Sequence, residues 1–294
     1  MVSFLDMVKT VILGVIEGVT EWLPISSTGH LILVEDFLKL GVSDGFWYMF
    51  EVVIQLGAIL AVVFLFWSRL WPVAYRRRTD GGNCLLPLGA LCLKKDTTLL
   101  WVKILIAMLP AAIIGIPLDD WMEEHLHNSP VVAAALIVYG ILFILVEKRN
   151  AGRTFAVNSP EEISYKTALG IGFAQALSLV PGTSRSGSTI LGASFLGVSR
   201  TAAAEFSFFL AVPVMLGASL LKGAKYALSV LSGAEVFGAG EALILTVGAA
   251  VAFVVSLGAI RFLMSFVKKH GFTAFGVYRI VLGVIVLFVY FIGK

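Results

Sequence analysis

Two glutamates, Glu17 and Glu21, interrupt an apolar stretch near the start of the chain. Their separation of four residues places both carboxylates on one face of a helix. Ionisable groups at membrane depth are functional by default, and two carboxylates can hold a divalent cation or share acid–base work. The alternative is that neither glutamate is functional: Glu17 would have a structural partner, and Glu21 would lie in the hydrated membrane interface. We expect both residues to be catalytic and to bind a divalent cation.

A polar break, Pro24–His30, follows these acids and places three hydroxyls and a histidine at the start of a second half-helix. Some of the hydroxyls are expected only to cap the helix. The free N–H groups of the first turn attract anions. We expect Ser27 and His30 to do nucleophilic or general-base work, and Ser26 and Thr28 to bind substrate.

A second polar break, Pro181–Thr189, combines hydroxyls, glycines and one permanently charged arginine. A guanidinium in such a loop favours a phosphate or carboxylate that it can bind with two parallel hydrogen bonds. Arg185 is therefore the strongest single candidate in the chain. The neighbouring hydroxyls are expected to bind substrate: Thr183, Ser184, Ser186 and Thr189.

The composition explains why so few charges stand out. Hydrophobic residues make up 59% of the 294 residues and charged residues only 14%, with a mean hydropathy of +0.94. A soluble globule cannot bury that much apolar surface. This excludes a disordered chain, a basic nucleic-acid binder and an ordinary cytosolic enzyme. Two cysteines are too few for a disulfide scaffold and, with no adjacent histidine, do not indicate a zinc site.

The apolar pattern predicts six membrane-spanning helices and two broken stretches. The broken stretches, 7–40 and 165–198, each contain one polar break, and their halves are too short to span. Such halves are typical of re-entrant hairpins, because irregular backbone at membrane depth must line a protein cavity. The predicted spans are 46–68, 100–118, 131–147, 202–221, 242–262 and 272–292.

The two breaks resemble each other at an offset of 158 residues. Gly14, Glu17, Ser26 and Gly29 then correspond to Gly172, Gln175, Ser184 and Gly187. Each unit would be a hairpin followed by three spans, so the second unit enters the membrane from the opposite face. The sequence therefore predicts an all-α integral membrane protein, one membrane domain over 1–294, built as an inverted repeat of units 1–147 and 160–294.

Basic residues predict the orientation of this domain. With the N-terminus outside, 17 of the 22 lysines and arginines fall in the inner segments 69–103, 148–200 and 261–279. This is a strong positive-inside asymmetry. Both termini are predicted outside, and so is the acidic loop at 119–124.

Two motif matches and one ion pair need separate treatment. Gly182–Thr189 misses a phosphate-binding P-loop because Ser188 replaces the essential lysine and no βαβ unit surrounds it. The order Ser-Thr-Gly-His30 and then Ser-Arg185 also resembles the acid-phosphatase-type lipid phosphatases. Those enzymes need a further histidine downstream of the arginine, and the only later histidine, His270, lies outside that spacing. Glu51 is a candidate addition to the carboxylate cluster, and Glu205 and Arg279 are candidates for a structural pair with each other.

These residues carry a family resemblance that covers nearly the whole chain. Its motifs resemble those of the bacterial undecaprenyl-diphosphate phosphatases, the bacitracin-resistance family. The matching segments are Glu17–Glu21, Pro24–His30, Phe50–Ala58, Pro181–Thr189 and Ala204–Pro213.

The resemblance implies removal of the terminal phosphate of undecaprenyl diphosphate, which recycles the cell-wall lipid carrier and removes the target of bacitracin. It implies a bacterial plasma-membrane enzyme that depends on Mg²⁺ or Ca²⁺ and opens to the outer face, with a polyprenyl diphosphate lipid as partner. Glu17, Glu21, Ser27, His30 and Arg185 would carry the family's catalytic roles. A homodimer is compatible with this interpretation. The competing hypothesis is a transporter or flippase of a phosphorylated polyprenyl lipid, since facing broken helices also occur in transporters.

Overall fold

The structure, a computed structural model, describes residues 3–75, 84–88 and 91–292. Within that part of the chain, helices form the body of the molecule. They are α1 (Phe4–Thr20), α2 (Ser27–Leu38), α3 (Asp44–Val53), α4 (Gln55–Leu65), α5 (Trp67–Leu70), α6 (Lys95–Leu126), α7 (Ser129–Asn150), α8 (Tyr165–Ala176), α9 (Arg185–Phe195), α10 (Arg200–Leu231), α11 (Ala239–Lys269) and α12 (Thr273–Ile292).

Six helical stretches among the described residues are long and apolar enough to cross a membrane. They confirm the six predicted spans, so the protein is a multi-pass membrane protein. The predicted span 46–68 differs in detail, because α3 and α4 meet at a break at Ile54 and α4 ends at Leu65. The stretches are 44–65, 95–118, 129–150, 200–231, 239–269 and 273–292.

Each broken apolar stretch folds as two half-length helices around a non-helical turn. Helices α1 and α2 form the first pair, here called hairpin 1. Helix α8, a short 3₁₀ turn at Leu177–Leu179 and helix α9 form the second pair, called hairpin 2. Each first helix begins with a serine cap, since Ser3 accepts from Asp6 N and Ser164 accepts from Thr167 N.

A small sheet was not predicted by the all-helical interpretation. Strands β1 (Val73–Tyr75), β2 (Cys84–Leu88) and β3 (Leu91–Lys94) pair antiparallel in the order β1-β3-β2. These segments are too short to span a membrane, and pairing satisfies their backbone groups. A disulfide joins Cys84 to Cys92 across β2 and β3.

The first helix of each hairpin packs on a long helix that is distant in the sequence. Helix α1 packs on α11, while α8 packs on α6. Helices α7 and α12 pack on each other at Gly140 and Gly276, where a side chain on either glycine would meet the backbone oxygen of the other. Helix α10 lies in the main apolar core, with Phe206, Phe208 and Phe209 fully buried. This packing holds the two non-helical turns against α10 and α12.

Candidate active site

The two polar turns contact each other directly. Ser186 Oγ of hairpin 2 donates to the backbone oxygen of Glu21 in hairpin 1 at 3.0 Å and lies 3.4 Å from the backbone oxygen of Leu23. Both breaks therefore contribute to one polar cluster. The predicted site residues, though separated by more than 150 positions in the sequence, are brought together there.

Both turns use the same backbone device to start their second helix. Ser26 and Ser184 have φ values of 74° and 69°, and among the described residues no other non-glycine residue has a positive φ. Ser26 Oγ accepts from Gly29 N at 3.3 Å, and Ser184 Oγ accepts from Gly187 N at 3.1 Å. A left-handed serine is strained, and such strain is typical of functional turns.

Arg185 connects the two turns electrostatically. Its Nη2 and Nε donate to Glu21 Oε1 at 3.0 and 3.3 Å, and its Nη1 donates to the backbone oxygen of Ser207 at 2.8 Å. The guanidinium also lies 5.8 Å from the ring centre of Trp22. Only 11% of the Arg185 side chain is exposed. The guanidinium of Arg185 is thus held in place by the carboxylate of Glu21, the backbone carbonyl of Ser207 and the ring of Trp22.

Glu17 is fully buried, and neither of its carboxylate oxygens has a hydrogen-bond partner among the described residues. The charges of Glu21, Glu51 and Arg185 all act on it. A buried carboxylate without a partner is costly unless a cation or proton satisfies it. Two hard oxygen donors, Glu17 and Glu21, fit Mg²⁺ or Ca²⁺, since Mg²⁺ often takes one or two carboxylates and completes its shell with water and phosphate. Clusters of three or more His, Cys, Asp or Glu suited to a metal are absent from the described residues.

Ser27 and His30 have different hydrogen-bond partners. Ser27 Oγ donates to Glu21 Oε2 at 3.5 Å. His30 Nδ1 lies 2.7 Å from the backbone oxygen of Ser26, and its Nε2 lies 2.7 Å from the hydroxyl of Tyr278. A carbonyl only accepts, so Nδ1 carries a proton and, in the neutral ring, Nε2 accepts from Tyr278. Both ring nitrogens of His30 therefore have hydrogen-bond partners other than Ser27.

The remaining predicted hydroxyls lie in the two turns and at the start of α2 and α9. Thr189 Oγ1 lies 2.5 Å from Ser207 Oγ and 2.9 Å from the backbone oxygen of Arg185. Ser184 Oγ and Ser186 Oγ lie 3.2 Å apart. Thr183 is buried in the turn, and Thr28 is half-buried in the first turn of α2. Hydroxyls from both hairpins thus lie at the N-termini of α2 and α9.

The expected pair between Glu205 and Arg279 is wrong. Glu205 instead accepts from Arg69 Nη1 at 2.6 Å. Arg279 is fully buried and donates to three backbone oxygens, those of Pro24 at 3.3 Å and of Gly182 and Thr183 at 2.8 Å each. The carbonyls of two non-helical turns outcompete a distant carboxylate because they have no helical partners of their own. Arg279 therefore ties the two turns together.

Sequence reasoning did not assign Ser207 or Tyr278 to the site. Ser207 supplies both a carbonyl for Arg185 and a hydroxyl for Thr189. Tyr278 lies one residue before Arg279, and its ring stacks on His30. Polar groups within apolar spans were the available signal, but the partners of each could not be identified without the fold.

Taken together, these features define a multi-pass membrane protein in which glutamates, hydroxyls and an arginine are buried where two half-helix turns meet. A family model described as bacitracin resistance protein BacA matches residues 10–285. The chain belongs to this family.

Curated relatives match this chain over nearly its whole length. An undecaprenyl-diphosphatase from Enterococcus faecalis is 52% identical over 287 residues, covering 98% of each chain. One from Acetivibrio thermocellus is 52% identical over 289 residues, covering 98% of this chain and 99% of the relative. One from Lactiplantibacillus plantarum is 52% identical over 283 residues, covering 96% and 97%.

Proposed function

We propose that this protein is a membrane-bound phosphatase that converts undecaprenyl diphosphate and water to undecaprenyl phosphate and inorganic phosphate. The observation that carries this proposal is the contact of Arg185 with Glu21 beside Ser27, which joins an anion-binding fork to an acid and a hydroxyl. Full-length similarity to proteins named undecaprenyl-diphosphatase supports the choice of substrate. The product would return to cell-wall synthesis, and consumption of the diphosphate would remove the target of bacitracin.

The diphosphate would bind where the two half-helices begin. Arg185 would exchange its bonds to Glu21 for two bonds to phosphate oxygens, because its planar fork matches them. Ser184, Ser186, Thr189 and Thr183 would complete the contacts from hairpin 2. Ser26 and Thr28 would donate from hairpin 1, and the positive ends of α2 and α9 would add attraction for the anion.

The unpartnered carboxylate of Glu17, together with that of Glu21, would hold Mg²⁺ or Ca²⁺. When bound, the cation supplies neutralisation of the charge on the phosphates. Glu17 is too deeply buried to work without such a partner or a proton. The cation requirement and its ligands are part of the proposal.

Ser27 is the nucleophile that the geometry favours, with Glu21 as its base. Glu21 Oε2 accepts the proton of Ser27 Oγ, the oxygen attacks the terminal phosphorus, and the bridging P–O bond breaks to release the lipid monophosphate. Water then cleaves the phosphoserine. The alternative is that Glu21 activates water directly. His30 would hold the turn through the Ser26 carbonyl and Tyr278.

We further propose that both hairpins are re-entrant and that the chain is an inverted repeat of units 1–147 and 160–294. The matched left-handed serines and the exchanged packing partners, α1 on α11 and α8 on α6, support this arrangement. The distribution of basic residues supports termini on the outer side of a bacterial plasma membrane and a site that opens outward. A homodimer stays a prediction.

Phosphate release from undecaprenyl diphosphate in detergent tests the proposal. No membrane compartment exists there, so a hydrolase releases phosphate and a flippase releases none. We expect release that needs a divalent cation and stops with a chelator. Purified protein that binds the lipid but releases no phosphate would overturn the proposal and favour the transporter hypothesis. Trapping a phosphoserine under single-turnover conditions would separate Ser27 from water as nucleophile.

A further inference from the structure

The small three-stranded sheet lies next to the ends of two membrane-spanning stretches. Two residues separate α5 from β1, and Lys94, the last residue of β3, directly precedes α6. Helix α6 and the stretch 44–65, which precedes α5, are both long and apolar enough to cross a membrane. Connections this short keep the sheet close to the level at which these helices leave the bilayer.

One face of the sheet is apolar and exposed. Tyr75 of β1 pairs with Leu91 of β3, and Leu93 of β3 pairs with Leu86 of β2. Paired residues on antiparallel strands, and residues two apart in one strand, project to the same face. These four residues therefore form one surface, here called the apolar sheet face. Tyr75 is 77% exposed and Leu86 is 55% exposed, and an exposed apolar patch of this kind marks contact with a protein or a membrane.

The opposite face of the sheet is fixed to the rest of the protein. Cys92 alternates with the apolar residues of β3, so it projects to this opposite face, and it is buried. The disulfide from Cys92 to Cys84 ties β2 to β3 there. Lys94 Nζ donates to the backbone oxygen of Ser68 at 2.7 Å, and Lys94 N donates to that of Pro72 at 2.7 Å. The apolar sheet face is thus held pointing outward.

Aromatic and basic residues around the sheet favour a lipid surface as its partner. Trp67 and Trp71, both about half exposed, stack directly before β1 with ring centres 4.7 Å apart. Tryptophan is enriched where a membrane meets water. The segment 69–103 contains seven lysines and arginines against two acids. Basic residues beside a membrane attract anionic headgroups.

We propose that the apolar sheet face lies in the headgroup region of the bilayer and that the surrounding basic residues make this contact selective for anionic phospholipids. The tryptophan pair and Tyr75 place their rings among the headgroups, and Leu86 and Leu91 reach the first part of the acyl chains. Lys95, exposed at the start of α6, faces the lipid phosphates. The proposal does not depend on the reaction, since these residues lie outside the polar cluster of the two hairpins.

Photocrosslinking from the apolar sheet face tests the proposal. The full-length protein carries p-benzoylphenylalanine in place of Leu86 and is reconstituted in phosphatidylcholine vesicles that contain a minority of phosphatidylglycerol. We expect lipid adducts by mass spectrometry. The share of phosphatidylglycerol among them should exceed its share of the bilayer at least about twofold, because basic residues near the surface attract it. This excess should shrink in high salt, which screens the attraction.

Two further positions make the result specific. The same replacement at Leu91 is a second probe of the apolar sheet face, should the first variant fold poorly. The same replacement at Thr154, an exposed residue in the connection between α7 and α8, is the matched control and should give few lipid adducts.

Tyr75→Asp places a charge on the apolar sheet face. It should lower the yield of lipid adducts at position 86 about fivefold, since a carboxylate resists transfer out of water. Thr154→Asp, which adds the same charge elsewhere, should leave the yield unchanged, and both variants should keep the wild-type melting temperature.

Four results would overturn the proposal. Few lipid adducts at positions 86 and 91 would show that the apolar sheet face contacts water. Crosslinked dimers in place of lipid adducts would assign the face to a second copy of the chain, and adducts to another protein in native membranes would assign it to a protein partner. Adducts in proportion to bilayer composition, or an undiminished yield in Tyr75→Asp, would exclude the anionic preference or the apolar contact respectively.

Discussion

Hairpins 1 and 2 share a backbone and differ in chemistry. Ser26 and Ser184 both have a positive φ, and each side chain accepts a hydrogen bond from the backbone N–H three residues later. At two other equivalent positions the side chains differ: Glu17 corresponds to Gln175, and Ser27 to Arg185. Hairpin 1 therefore carries the two glutamates and the candidate nucleophile, and hairpin 2 carries the arginine, Arg185.

This division shows how two similar units build one asymmetric site. Glu17 and Gln175 are both buried, and none of their side-chain N or O atoms has a hydrogen-bond partner in the described part of the chain. The carboxyl group can carry a negative charge, and the amide cannot. The proposed site therefore takes its glutamates from hairpin 1 and its guanidinium from hairpin 2, and the two meet in the Arg185–Glu21 ion pair.

The largest difference between the hairpins is expected at these two buried residues. Glu17→Gln makes hairpin 1 resemble hairpin 2 with little change in shape. Phosphate release should fall about a hundredfold and more cation should be needed, since a metal ligand is lost. Gln175→Met, an apolar change of similar size, should keep the rate within about threefold. Equal losses in the two variants would break the assignment of the acid role to hairpin 1 alone.

Arg279 is the residue that both hairpins share. Arg279→Gln leaves buried carbonyls of Pro24, Gly182 and Thr183 without donors, at about 1–3 kcal/mol each if unsatisfied. We expect a free energy of unfolding lower by at least about 2 kcal/mol, measured by thermal unfolding in detergent. Arg261→Gln on the exposed face of α11 is the control and should have little effect. An unchanged melting temperature for Arg279→Gln would show that the two turns are held together in another way.

Much of this architecture could be predicted from the sequence. Hydropathy identified the six spans because helix length must match the bilayer. The offset of 158 residues identified Ser26 and Ser184 as equivalent, and both have the same cap and conformation. Residue types alone selected Glu21 and Arg185, which the structure brings into contact.

The rest depends on contacts between distant residues, which periodicity does not encode. The partner of Arg279 was assigned to Glu205 because opposite charges attract, but backbone carbonyls of non-helical turns compete for the same donor. The partner of His30 Nε2 is the hydroxyl of Tyr278, 248 residues away, and no local sequence pattern indicates this contact. The small sheet follows from pairing of short segments that carry no strong pattern.

The shared backbone device predicts equal effects in the two hairpins. Ser26→Ala and Ser184→Ala each remove a cap hydrogen bond and keep a side chain at a positive φ, so each should cost about 1 kcal/mol of stability. The glycine variants should cost less, because glycine adopts this conformation freely. Unfolding of the four purified variants in one detergent measures both differences. A cost at only one serine would show that the turns are not equivalent.

The smallest expected effect on stability is at Glu161, which lies just before the first helix of hairpin 2. Glu161 accepts two hydrogen bonds from Arg69 Nη2 at 2.7 and 2.9 Å. Partial burial opposes ionisation of Glu161, but the bonds from Arg69 outweigh it and lower its pKa from the ordinary value of 4.5. This stabilisation is present above that value and is lost as the pH falls through the lower folded pKa.

Glu161→Gln should therefore lower the melting temperature slightly at pH 7 and flatten its decline on acidification below pH 4.5. The effect should be under about 1 kcal/mol because the pair is partly exposed. Glu124→Gln, on a side chain that is 79% exposed, is the control and should keep the wild-type pH profile. If Glu161→Gln kept the wild-type dependence of melting temperature on pH, the bonds from Arg69 to Glu161 would not contribute to stability.

The central claim is that the two hairpins form a single site, and a double-mutant comparison of phosphate release tests it most directly. Glu21→Gln alters hairpin 1 and Arg185→Ala alters hairpin 2. Each should lower kcat/KM for undecaprenyl diphosphate at least about a hundredfold. The kcat/KM of the double variant should be about equal to that of the less active single variant, because the effects of residues that act as a unit are not additive. Near wild-type phosphate release by either single variant, or fully multiplicative losses in the double variant, would contradict the account.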